Sequence, residues 1–120
     1  QYYKLALDSS TATYGDESAL TLNYALNYAA FQVDKGEYAA ALERIDTLYP
    51  KLEKALGAEH PNLAEMQRVR GRALTALGRR TEALAAWQRA LAIDRRVFGK
   101  DDHPQVVEDL AGVKAAEQGG

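Results

Sequence analysis

The stretch Gly57-Ala58-Glu59-His60-Pro61-Asn62-Leu63-Ala64 decides the fold, because its glycine recurs at a fixed distance along the chain and its His-Pro pair recurs with it. Gly15, Gly57 and Gly99 are evenly spaced, and the His-Pro pair returns at His103-Pro104. Self-similarity at a fixed period is typical of repeat proteins, in which each repeat is one unit of secondary structure stacked on its neighbour. The sequence therefore predicts an array of repeats.

Between these recurring glycines the hydrophobic residues follow a helical period. From Tyr38 to Leu56 the apolar side chains recur three and four positions apart, and similar patterns cover residues 19–33, 63–77 and 81–98. Gly36 and Gly78 are spaced to end helices in the left-handed conformation that glycine adopts easily. We predict an all-α fold with six helices, at about 1–13, 17–35, 37–56, 61–77, 79–98 and 103–117.

The helices divide into whole and partial repeats. Residues 15–56 and 57–98 each form a complete pair of helices, residues 1–14 are the second helix of a partial repeat, and residues 99–120 hold the first helix of another. We expect one array over 1–120. Pro50 removes a backbone donor inside the helix predicted at 37–56, so we expect a kink there.

Composition limits the class of protein. The chain has 120 residues and a net charge of -2, which argues against a general nucleic-acid binder or a binder of anionic membranes. The absence of cysteine excludes disulfides and thiolate zinc sites, and it leads us to expect a cytoplasmic location. No apolar run approaches the roughly 20 residues of a membrane span. Gln1 is not a natural start, so we expect a piece of a longer protein.

The recurring glycines and His-Pro pairs, with the residues around them, resemble the tetratricopeptide repeat. The resemblance is to the long-helix form found in kinesin light chains and in many bacterial signalling proteins. That form reads roughly Gly-x-x-His-Pro-x-hydrophobic-Ala, then a helix, then Gly-x-aromatic-x-x-Ala-Leu. Residues 57–64 supply the first part, and Gly36-Glu37-Tyr38-Ala39-Ala40-Ala41-Leu42 supplies the second. The resemblance implies antiparallel helical hairpins stacked as a right-handed superhelix, an α-solenoid, whose concave side is lined by the first helix of each hairpin.

The chain departs from this pattern in several places. Arg80 stands where an aromatic residue is usual, residues 15–19 lack the His-Pro pair, and residues 99–104 contain one extra position. Kinesin light chains carry a groove asparagine that grips the backbone of a bound peptide. In this chain the corresponding positions hold Asn27, Val69 and about Gly112, so the asparagine is retained only in the first of them.

The candidates for chemistry are few. His60 and His103 occupy equivalent positions beside helix starts, so we interpret them as part of the repeat signature rather than as catalytic groups or metal ligands. Asp101 and Asp102 are predicted to satisfy backbone N–H groups at a helix start. No phosphate-binding glycine pattern and no nucleophile elbow occurs. We predict no enzyme activity, no cofactor and no metal.

Arg68 and Arg72 form the clearest charge feature. They lie four residues apart and so share a helix face, which the resemblance places in the concave groove. In one interpretation the two guanidinium groups receive a carboxylate or phosphate from a bound peptide. In the other they are neutralised by Glu65, or by acids of neighbouring helices such as Asp34 and Glu37.

The predicted partner-binding residues are Asn23, Asn27, Arg68 and Arg72. In the preceding first helix, Asn23 and Asn27 lie beside small apolar residues, so the groove suits an extended or helical segment with an acid and one or two hydrophobic anchors. The expected function is protein–protein interaction within a larger protein. The alternatives are a structural spacer, self-association through the end helices at 1–13 and 103–117, or a regulatory array fused to a signalling enzyme such as a bacterial protein kinase.

A hydrophobic stripe at helical spacing is interpreted as ordinary core rather than as a cofactor cage. Its members are Phe31, Ile45, Leu84, Trp87 and Leu91.

Overall fold

The computed structural model describes residues 19–57 and 59–118, and helix is the regular secondary structure of that part of the chain. The helices are α1 (Ala19–Asp34), α2 (Tyr38–Leu56), α3 (Pro61–Ala76), α4 (Arg80–Phe98) and α5 (Pro104–Gln118). Their ends agree with the last five predicted helices to within one or two positions. The predicted all-α class is confirmed, and the helix predicted at 1–13 lies outside the described residues.

The chain divides into two compact units, residues 1–58 and 59–120. In the first unit, α1 packs against α2. In the second, α4 packs against both α3 and α5, and α3 also touches α5. The second unit therefore combines the hairpin of α3 and α4 with a third helix that packs on both of them. The finer division into repeats at residues 15, 57 and 99 stays a prediction.

The turns inside the two hairpins have the same construction. Gly36 has a φ of 83° and Gly78 a φ of 77°, in the left-handed region that glycine adopts without a steric penalty. After the first helix, the N–H of Glu37 donates to the carbonyl of Gln32 at 2.8 Å. This bond satisfies a carbonyl that the end of a helix would otherwise leave unpaired, and the glycine allows it.

The His-Pro pairs begin α3 and α5. Nδ1 of His60 accepts a hydrogen bond from the N–H of Asn62 at 3.1 Å, and Nδ1 of His103 accepts one from the N–H of Gln105 at 3.2 Å. Each histidine thus caps a helix whose first residue is the proline that follows it. The local role of the pair is to start a helix.

The expected role of Asp101 as a helix-start acid is corrected by its contacts. Asp101 binds Arg95 of α4 through two hydrogen bonds of 3.0 Å, from Nε and Nη2. The ring of His103 stacks on that of Phe98, with centroids 3.5 Å apart and planes 9° from parallel. The start of α5 is therefore tied to the last turn of α4.

Each unit has its own core. Ile45 is fully buried in the first, and Trp87 is 5% exposed in the second, which confirms both as core residues. The other members of the predicted stripe, Phe31, Leu84 and Leu91, are half-buried. Helix α2 continues through Pro50 to Leu56.

Trp87 packs against backbone as well as against side chains. A methyl group added at Gly71 of α3 would lie 2.7 Å from Cε2 of the indole, and one added at Gly112 of α5 would lie closer still. Both distances are well inside van der Waals contact. The indole thus fills the space that these two glycines leave, and α4 contacts both of its neighbours through one side chain.

Candidate functional site

The four predicted partner-binding residues lie on two first helices. Asn23 and Asn27 are on α1 in the first unit, and Arg68 and Arg72 are on α3 in the second. Asn27 is exposed to solvent, whereas Asn23 is half-buried and already engaged in a contact of its own. Of the four residues, Arg68 differs most from expectation.

Arg68 is buried, with 1% of its surface exposed. Its Nε and Nη2 both donate to Oε2 of Glu65, at 3.0 and 2.6 Å. Its Nη1 donates to Asp94 of α4 and lies 3.5 Å from Oδ1 of Asp109 of α5. The prediction that Arg68 offers its guanidinium to a partner is therefore corrected, because three carboxyl groups of the chain surround it. We call Glu65, Arg68, Asp94 and Asp109 the buried ion cluster.

The neighbouring acids stabilise the positively charged form of Arg68. Burial by itself lowers the pKa of Arg68, and the hydrogen bonds and negative charge of Glu65, with the charges of Asp94 and Asp109, more than reverse this effect. The net result is a raised pKa, so the guanidinium stays positive inside the fold. An unpaired guanidinium at this depth would be strongly unfavourable.

Asp94 and Asp109 are both 0% exposed. The pKa of Asp109 is raised to about 8, first by burial and then by the hydrogen bond and charge of Asp94, while Arg68 opposes the rise. Asp94 lies 26 residues from Arg68 along the chain, and Asp109 lies farther still, on a third helix. Sequence reasoning missed both acids, because no local spacing connects them with α3.

Arg72 lies at the surface beside α5. Its Nε donates to Oε2 of Glu108 at 3.1 Å, Nη2 contacts the same oxygen, and the two side chains are 37% and 40% exposed. This ion pair joins the two first helices of the second unit on a side open to solvent. Arg72 is therefore far more exposed than Arg68.

The interpretation in which the arginines are neutralised from within agrees with these contacts. Glu65 is a partner as expected, whereas Glu37 pairs with Lys35 at 3.7 Å. The partners that were not foreseen are Asp94, Asp109 and Glu108. All three acids lie on helices other than α3, so no local spacing in the sequence pointed to them.

The first unit contains an open cavity of about 400 Å³, lined by one residue of α1 and five of α2. Its lining residues are Gln32, Ala40, Glu43, Arg44, Thr47 and Leu48. Arg44 donates from Nε to Oε1 of Gln32 at 3.1 Å, and its guanidinium lies 4.4 Å from the centroid of the Tyr28 ring. Polar groups of this cavity thus bind one another across the hairpin.

Over the ranges 19–57 and 59–118, no three His, Cys, Asp or Glu side chains are grouped to hold a metal ion. In the same part of the chain, no helix combines the length and apolar character needed to cross a membrane. The two histidines that were the first catalytic candidates each use Nδ1 as a helix cap.

Comparison with known proteins identifies the repeat. The sequence model of the tetratricopeptide repeat matches residues 20–96, which is more than half of the chain and extends from α1 almost to the end of α4. No curated protein matches the chain.

Proposed function

The chain belongs to the tetratricopeptide repeat family, whose repeats generally mediate protein–protein interactions, and we propose that it binds a peptide segment or a partner domain. The proposed surfaces are those of α1 in the first unit and of α3 and α5 in the second. The observation that carries the proposal is the solvent-facing pair of Arg72 and Glu108, which joins two first helices.

Arg68 has a supporting role in this proposal. Its guanidinium contacts carboxyl groups from α3, α4 and α5, so it holds together the helices that present the surface. The proposed contact residues are therefore Asn23, Asn27 and Arg72. We propose no catalytic role for them.

A capture experiment tests the proposal. The immobilised chain is compared with an Asn27→Ala/Arg72→Glu double variant, and bound proteins are identified by mass spectrometry. Arg89→Glu is the matched control, because it makes the same charge change at an exposed position of the second helix α4. A partner kept by the control and lost by the double variant supports the proposal, and equal capture by all three contradicts it.

An acidic partner has to compete with the chain's own carboxylate. Glu108 already accepts both hydrogen bonds from Arg72, so we expect Glu108→Ala, which removes the acceptor, to free the guanidinium. An acidic partner then binds tighter by up to about fivefold, the range of one exposed ion pair. Isothermal titration of the captured partner measures the change. Unchanged or weaker binding shows that the partner does not use an acid at Arg72.

Self-association is a second candidate, favoured by one exposed residue. Val107 of α5 is 51% exposed, whereas Ala64, at the same distance after the His-Pro pair of α3, is fully buried. The face of α5 that corresponds to the packed face of α3 thus shows apolar surface. A dimer that forms with increasing concentration in light scattering, and that Val107→Glu abolishes, supports this candidate. A monomer at every concentration removes it.

The third alternative uses the same surface within one polypeptide. In a regulatory array fused to a signalling enzyme such as a bacterial protein kinase, the partner is a neighbouring domain rather than a separate protein. For the array as a whole we also propose the kinesin-light-chain-like subtype, suggested by the even spacing of Gly15, Gly57 and Gly99, and a cytoplasmic location.

A further inference from the structure

Two carboxyl groups and one guanidinium meet in the interior of the second unit. Asp94 of α4 and Asp109 of α5 are both 0% exposed, and Arg68 of α3 is 1% exposed. Glu65 of α3 has a side chain that is 37% exposed and completes the buried ion cluster. If all three acids were ionised, two fully buried negative charges would share a guanidinium that Glu65 also uses. Such an arrangement is strongly unfavourable in an apolar interior.

The hydrogen-bond donors of Arg68 do not satisfy these acids. Nε and Nη2 are directed to Glu65, and Nη1 donates to Oδ2 of Asp94. Asp109 has only an ion contact of 3.5 Å with Nη1. Oδ1 of Asp94 and both carboxyl oxygens of Asp109 are buried without a donor. Buried acceptors normally find a donor, so one is missing from this site.

A proton on one of the two carboxyl groups would supply such a donor. Nη1 of Arg68 forms ion contacts with both carboxyl groups, at Oδ2 of Asp94 and Oδ1 of Asp109, so the two acids converge on one nitrogen. One proton held between them supplies an O–H donor, gives the orphan oxygens a bond and removes one negative charge. We propose that Asp94 and Asp109 share this proton and that it fastens α5 to α3 and α4.

The expected pH dependence of the stability follows from the raised pKa of Asp109. The pKa of Asp109 is raised to about 8, first by burial and then by Asp94. An aspartate in an unfolded chain has a pKa of about 3.9. Between these two values the folded state holds a proton that the unfolded state releases, so stability falls as pH rises from about 4 to about 8 and is level above that.

The charged groups that face Asp109 decide which helix loosens when the proton is lost. They are Arg68 from α3 and Asp94 from α4, and Glu65 of α3 binds the same guanidinium. The Arg72–Glu108 pair is a separate, half-exposed contact between α3 and α5. Loss of the proton leaves two buried carboxylates, one from α4 and one from α5, on a single guanidinium nitrogen. Because Asp109 is the member of the cluster that α5 contributes, we expect α5 to loosen first at alkaline pH.

Urea unfolding of the full chain between pH 5 and 9.5 tests the proposal. We expect the wild-type midpoint to fall as pH rises towards 8. Asp109→Asn should remove most of this slope, because its amide can donate to Asp94 without titrating. Asp101→Asn is the matched control, since Asp101 has a side chain that is 61% exposed and paired with Arg95. It should keep the wild-type slope.

A different result overturns the proposal. If Asp109→Asn lowers the midpoint equally at every pH and keeps the slope, Asp109 is ionised and serves Arg68. A second measurement on the wild-type chain covers the case in which the variant does not fold. In a carbon-13 NMR titration of the carboxyl groups, one group titrating near pH 8 supports the shared proton, and titration of all carboxyl groups below pH 6 excludes it.

Discussion

At the level of single residues, the two histidines have the same local task and different surroundings. Both accept a hydrogen bond from a backbone N–H at a helix start, but His103 also stacks on Phe98. Loss of an N-cap side chain costs about 1 kcal/mol. An aromatic pair adds about 0.5–1.5 kcal/mol. The comparison of the two positions therefore separates the cap from the stack.

We expect His60→Ala to lower the free energy of unfolding by about 1 kcal/mol and His103→Ala by about 1.5–2.5 kcal/mol. His103→Asn keeps a capping side chain and loses the stack, so its loss should be smaller than that of His103→Ala. Urea unfolding of the three variants measures these differences. Equal losses for the two alanine variants show that the stack contributes nothing.

The glycines beside Trp87 are a second residue-scale feature. Alanine is intrinsically better than glycine in a helix by about 1 kcal/mol. At Gly112, however, the new methyl group meets the indole ring at a distance that requires the ring or α5 to move. Overpacking of this kind costs about 1–3 kcal/mol and outweighs the gain. The indole of Trp87 thus favours glycine at position 112 of α5.

We expect Gly112→Ala to destabilise the chain by about 1–2 kcal/mol, and Gly71→Ala by less because its contact is less severe. In a Trp87→Phe background the smaller ring leaves room, so Gly112→Ala should become neutral or stabilising. The double-mutant cycle is measured by chemical unfolding. Additive effects of the two substitutions show that the indole does not restrict Gly112.

At the level of helices, α3 presents two arginines of opposite character. Arg68 is enclosed by the buried ion cluster, whereas Arg72 shares a half-exposed pair with Glu108. Breaking a buried pair leaves an uncompensated charge and costs about 3–5 kcal/mol. Breaking an exposed pair costs about 0–1 kcal/mol. Substitutions at Arg68 and at Arg72 should therefore lower the free energy of unfolding by very different amounts.

We expect Arg68→Met to lower the free energy of unfolding by about 3–5 kcal/mol, and Arg72→Met by at most about 1 kcal/mol. Methionine keeps most of the apolar stem and removes the charge, so the comparison isolates the guanidinium. Thermal and urea unfolding of both variants provide the measurement. Similar losses at both positions contradict the placement of Arg68 in the interior.

The same helix shows what sequence reasoning reaches and what it misses. The ends of α3 were predictable, because Pro61 and Gly78 act on the backbone next to them. The burial of Arg68 was not, because its partners Asp94 and Asp109 come from other helices and become neighbours only when the helices pack. An arginine in an amphipathic helix normally lies at the surface, and that expectation failed where distant acids enclose it.

At the level of the whole molecule, the aromatic residues are divided between the two compact units. All seven tyrosines fall within residues 1–58, and the single tryptophan, Trp87, falls within residues 59–120. Tyrosine absorbance therefore reports on the first unit, and tryptophan fluorescence reports on the second. The two signals allow the unfolding of each unit to be followed in the unmodified chain.

Leu74 provides the corresponding test, because it is fully buried in the second unit. Leu74→Ala removes core contacts there and should cost about 2–5 kcal/mol. We expect the midpoint detected by tryptophan to fall by more than the midpoint detected by tyrosine, since the substitution removes no contact within residues 19–57. Ile45→Val, at a fully buried position of the first unit, is the reciprocal variant and should shift mainly the tyrosine signal. Equal shifts of both signals in both variants mean that the chain unfolds as one cooperative array, as nearest-neighbour coupling between repeats allows.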